Sequence, residues 1–212
     1  MTSSALNHFD RGKPFYPLVM NYLAQLIGFK ELALRGITGP VNLEELVARI
    51  PSLVRASPED DAKIADVRDG LRKLSGSLDL ASEYQGDRIT VDIDEVAREV
   101  VANHSYLLAS TMLSAGHVLI LAHELSRDAP WHDTDPLWEF LRHCRNAAAH
   151  RAVFRLSASE PRRPAAWGPL VITHQLQGTK LFKDSSGAGM LSPGDPIRLL
   201  WDIEQAYPRM TV

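Results

Sequence analysis

Six consecutive residues in the second half of the chain could handle a phosphate and a proton: Arg145, Asn146, Ala147, Ala148, Ala149 and His150. Arginine holds phosphate oxygens bidentately and stays charged at any working pH. Histidine is the side chain whose unperturbed pKa allows proton transfer in both directions near neutrality. Asn146 adds a group able to orient the imidazole or donate to a phosphate oxygen. Arg145, Asn146 and His150 are therefore the catalytic candidates, a minimal set for cutting a ribose phosphodiester without a metal. The competing reading is plain: an arginine and a histidine on the solvent side of an amphipathic helix need no function.

Charge around the six residues adds to the case. Arg142, Arg145, Arg151, Arg155, Arg162 and Arg163 fall within one short stretch whose only acid is Glu160, in a chain of net charge −3. Arginine without lysine suits planar recognition of phosphate. Arg142, Arg151 and Arg155 are the expected RNA contacts. Trp138 joins them because helical spacing puts it on the side of Arg142 and Arg145, to stack a base or to seal an interface; packing in the core is its alternative.

A helix must position these groups. Pro136 suits a first helical position, with Asp135 or Thr134 as cap. At 3.6 residues per turn, Leu137, Phe140, Leu141, Cys144 and Ala148 share a core stripe. Arg145 lies at the edge of that stripe. Asn146 and His150, four apart, should stack on a face turned away from it. The three alanines leave room for a second helix or a ribose-phosphate chain. Cys144, the single cysteine, reads as a small buried hydrophobe and excludes an internal disulfide.

These residues resemble the hallmark of the HEPN superfamily (higher eukaryote and prokaryote nucleotide-binding domains), Arg-polar-x-x-x-His near the end of a helical bundle. The stretch Phe140 to Phe154 is similar to a bacterial, often plasmid-borne subgroup with an RNAAAH run. Pro164-Ala165-Ala166-Trp167, Ile172-Thr173, Gly178, Leu181-Phe182, Gly194-Asp195 and Asp202-Ile203-Glu204 resemble that subgroup's C-terminal extension. The resemblance spans roughly residues 90–207. It implies a metal-independent endoribonuclease acting in toxin–antitoxin, phage-defence or RNA-processing systems. It also implies a homodimer with the two motifs facing each other, and an antitoxin protein as a further partner. Other members only bind nucleotides or partner proteins.

The rest of the chain frames that expectation. The pattern predicts a mainly α fold with a small C-terminal β-hairpin and terminal helix, and the resemblance implies a HEPN-like up-and-down bundle. Residues 1–90 are expected to form an N-terminal helical segment packing on the bundle and residues 91–212 the core, the two making one globular unit. Helices are expected over Tyr16–Arg35 with Gly36 as the stop, over a short run from Asn42 to Ile50, and from Pro58 to about Leu74. A short strand follows near Arg88–Val91, then one long helix from Asp92 to about Arg127. A hairpin is expected from Leu170–Leu176 with Thr179–Phe182, and a last helix from Ile197 to about Tyr207 capped by Asp195.

Eight histidines are scattered without metal-ligand spacing, so no metal and no cofactor are expected. His117 and His123 could line a site with His150 if the long helix neighbours the motif helix. The N-terminus has no signal-peptide pattern, and no window reaches the ~20 apolar residues of a membrane span. The chain is accordingly expected in the cytoplasm. Two rivals to the enzyme remain: a non-catalytic binding module for nucleotide, RNA or protein, and an interface lock formed by Arg145 and Asn146.

Overall fold

The computed structural model describes residues 11–38, 77–81, 88–103 and 105–210. The helices expected over Asn42–Ile50 and Pro58–Leu74 lie outside them. The described residues are mainly helical: α1 (Tyr16–Thr38), α2 (Ile93–Ala102), α3 (Ser105–Arg127), α4 (Pro136–Ala149) and α5 (Asp195–Ala206). Two small antiparallel pairs join β1 (Ser77–Ala81) to β2 (Arg88–Asp92), and β3 (Ala166–Trp167) to β4 (Leu170–Val171). The chain divides into two compact units, Met1–Ile27 with Leu108–Val212, and Gly28–Leu107. The first helix contributes to both units.

In the Gly28–Leu107 unit, Ser77 pairs with Asp92 and Ala81 with Arg88. The chain passes from β2 into α2 through Asp92, whose carboxylate accepts from the backbone N–H of Asp94 at 2.8 Å and of Glu95 at 3.0 Å. Capping of this kind satisfies the free donors of a first turn. Gly36 does not stop α1. It lies inside the helix because α2 comes too close for a side chain: a Cβ there would sit 2.3 Å from the Ala97 carbonyl oxygen. The single long helix expected from Asp92 to Arg127 is two helices. Asn103 leaves the helical region (φ −131, ψ 81), and its side-chain oxygen accepts from the Ser105 N–H and hydroxyl. That local bonding competes with the helical ladder.

The other unit holds the main core. Phe15, Val19 and Tyr22 pack with Leu119 and Ala122 of α3, with Phe140, Leu141 and Cys144 of α4, and with Leu199, Leu200 and Ile203 of α5. Cys144 is fully buried as expected, and burial pushes its thiol pKa up. Asp135 caps α4, accepting from Leu137 N–H at 2.9 Å and Trp138 N–H at 3.2 Å, with Pro136 in the first turn. Its other oxygen accepts from the Tyr207 hydroxyl beyond α5.

After α4 the path differs from the expected hairpin. The turn falls at Gly168-Pro169, between β3 and β4, and His174–Leu176 is one turn of 3-10 helix. Thr179–Phe182 pairs instead with the chain leaving α4. Phe154 N–H donates to the Thr179 carbonyl and Gly178 N–H to the Phe154 carbonyl, both at 2.9 Å. Alternation alone could not tell which partner that segment takes.

Candidate functional site

The site is built at the C-terminal end of α4 and on the neighbouring face of α3. Gly116 of α3 lies against Ala148, and Glu124 of α3 reaches Arg145, so the two helices run in opposite directions. Pairing of α3 with α4 follows from the short link between them, as expected of a bundle hairpin.

Arg145 is held from two sides. One Nη donates to the Glu124 carboxylate, the other to Asn146 Oδ1 at 3.1 Å. About a third of its side chain remains exposed (32%). Its Nε is buried and has no hydrogen-bond partner, an unmet donor of the kind that costs stability unless a ligand or water satisfies it. The guanidinium holds the Glu124 carboxyl below the usual carboxylate range, chiefly through their hydrogen bond.

His150 stands differently from the helical expectation. It caps α4 rather than continuing it (φ −109, ψ 50), with its N–H shared between the Ala147 and Asn146 carbonyls. Its side chain is exposed, and the Asn146 amide oxygen accepts from Arg145. Arg151 and Ala152 then take left-handed backbone (φ 62 and 54). Non-glycine residues there carry local strain that their surroundings must hold. Two hydrogen bonds do so: Val153 N–H to His150 O at 3.3 Å, and Leu181 N–H to Ala152 O at 2.7 Å.

The arginine island separates into parts. Arg142 donates twice to the buried Glu139, at 2.9 and 2.7 Å, and contacts His143 Nε2 at 2.9 Å. Arg163 also lies near Glu139, at 3.6 Å. Sequence spacing put Arg142 among the RNA contacts, but much of its charge is directed at Glu139. Arg151 and Arg155 are exposed, and among the described residues no ion pair holds them. Trp138 needs correction as an RNA contact. It is 1% exposed and packs between Trp131 (ring centroids 5.9 Å), His132 (4.9 Å) and Tyr207 (5.5 Å). No face is left for a base, because the α3–α4 loop and the segment after α5 cover the ring.

Two residues of α3 complete the picture. Glu124 was not singled out from the sequence, although it is the only acid in α3. His117 is exposed and faces the same groove as Ala148 and Arg151. His123, by contrast, is 8% exposed, and burial pushes its pKa down. Among the described residues no group of three or more His, Cys, Asp or Glu could hold a metal ion.

No family model, curated protein or solved structure matches the chain.

The buried side of α3 packs in the core, but Leu113 is 75% exposed and Leu108 and Leu125 are also open. By length and composition alone this helix is apolar enough to cross a membrane, with a mean hydropathy of 1.5.

Proposed function

We propose that the protein is a metal-independent endoribonuclease of HEPN type, with Arg145, Asn146 and His150 as its working residues. The ribose 2′-oxygen attacks the adjacent phosphorus, the bond to the 5′-oxygen breaks, and a 2′,3′-cyclic phosphate and a 5′-hydroxyl result. His150 takes the 2′-hydroxyl proton or gives one to the leaving 5′-oxygen. Arg145 stabilises the charge that builds on the phosphoryl oxygens. Asn146 positions Arg145 through the bond to its Nη.

One observation carries the reading. An exposed histidine ends the helix on which a partly exposed arginine is pre-positioned by a carboxylate and an amide. Partners that fix a side chain's orientation in this way hold a phosphate-binding group in place. Exposed Arg151 and Arg155 would steer the RNA backbone. Each chain brings one motif histidine, while the reaction moves two protons, so we further propose a homodimer in which a second copy supplies the other His150. A role as a cytoplasmic toxin or defence factor, with an antitoxin protein as partner, belongs to the same proposal. The test is RNA cleavage in EDTA by wild type and His150→Ala.

A second reading has an observation of its own. The Glu124 carboxylate neutralises much of Arg145, as it would in a module that binds nucleotide, RNA or protein without cutting. Binding of RNA unaccompanied by any cleavage would favour it.

A further inference from the structure

Beside the motif, α3 and α4 enclose a groove of about 570 Å³ that the reaction described above does not use. Its walls are apolar: Met112, Leu113 and Ile120 from α3, Ala148 from α4, and Phe182. Gly116 lies against both Ala148 and the Phe182 ring, where a Cβ would come within 3.3 and 3.7 Å of them. Only two polar side chains line the groove, His117 and Arg151. Arg151 follows His150 directly and is carried by strained left-handed backbone. A few polar groups on an apolar cleft of this size is the usual make-up of a small-ligand site.

We propose that this groove receives the nucleobase next to the phosphodiester held at Arg145 and His150, a claim that rests on the ribonuclease reading. A base is flat and apolar on its faces and polar at its edge. One face rests on the exposed aliphatic wall of α3 at Leu113, while Phe182, 2% exposed, only closes the floor of the groove. The edge meets His117, and Arg151 takes the neighbouring phosphate. Proteins that read unpaired RNA combine these contacts. The face of α3 supports the assignment by continuity: Leu113, His117, Ile120 and Glu124 fall on one helical stripe. The groove therefore leads along α3 to the carboxylate that holds Arg145.

The test is titration calorimetry of the full chain with adenosine 3′-monophosphate, cytidine 3′-monophosphate and ribose 5-phosphate, with the solution mass of each protein measured alongside. The nucleotides should bind roughly tenfold more tightly than the base-less sugar phosphate, at the low end of what stacking one base contributes. Leu113→Trp, at an exposed position, should remove that advantage and leave ribose 5-phosphate binding unchanged. His117→Ala should shrink the difference between adenine and cytosine nucleotides. Nucleotides that bind no better than ribose 5-phosphate would overturn the pocket. So would a Leu113→Trp protein that changes in mass but not in nucleotide affinity, which would make the groove a docking face for a second copy. The two claims fail separately. A protein that cuts RNA but ignores the base keeps the ribonuclease and loses the pocket. One that binds nucleotides in the groove and never cuts RNA does the reverse.

Discussion

At the scale of single residues, the Arg145–Glu124 pair decides how much positive charge the motif offers. Glu124→Gln removes the carboxylate charge and keeps the shape. RNA should then bind more tightly, with a salt dependence steeper by about one unit, because Arg145 gains a phosphate to neutralise. Fluorescence anisotropy across a salt series reads both effects; an unchanged slope would mean that Arg145 does not meet the backbone. Cleavage by the same variant should slow, since the guanidinium loses the group that fixes its orientation. The motif residues themselves were legible from type and spacing. Their partners were not, because Glu124 is 21 positions away from Arg145 and only the antiparallel return of α3 and α4 brings the two together. Trp138 was misread for a related reason. Helical spacing places it on one side of α4, but burial depends on what the loop before α4 and the segment after α5 lay over it.

At the scale of elements, α4 is the piece the rest depends on. Trp138→Ala should cost about 3–5 kcal/mol, the usual range for emptying a buried aromatic site, read by chemical denaturation. A base-stacking tryptophan would instead lose RNA affinity with little loss of stability. Three histidines around this helix tie its packing to pH. His123, His132 and His143 are all pushed below the ordinary value of 6.5, mainly by burial. Each binds a proton more readily when unfolded, so its contribution is present above about pH 6.5 and is lost as pH falls through the folded-state pKa. The denaturation midpoint should therefore drop between pH 7 and 5. A midpoint flat over that interval would show that these rings are open to water. The cap at Asp135, the Pro136 start and the core face of α4 could all be read from sequence, since capping and periodicity are local. The break at Asn103 and the pairing of Thr179–Phe182 with the end of α4 could not. The first depends on one side chain competing with the ladder, the second on a partner distant in sequence.

At the scale of the whole molecule, the mainly helical class followed from periodicity, while the division into units did not, because an amphipathic pattern does not state which neighbours a helix chooses. The proposed chemistry needs two proton carriers, and each chain supplies one motif histidine. Light scattering at micromolar concentration should therefore give twice the chain mass of 23.5 kDa; a monomer that cuts RNA would require a second carrier from the same chain. The central claim is tested most directly by incubating structured and unstructured RNA with wild-type, Arg145→Ala and His150→Ala protein in EDTA and determining the chemistry of the new ends. His150 is exposed, so its truncation should change stability by no more than about 0.5 kcal/mol, whereas losing a positioned acid or base should slow cleavage by about 10²–10⁴. The account predicts cleavage by wild type in EDTA, 2′,3′-cyclic phosphate ends, a block by 2′-deoxy substitution at the cut site, and loss of activity in both variants with the fold retained. Cleavage that EDTA stops, or a His150→Ala protein that cuts as fast as wild type, would contradict it.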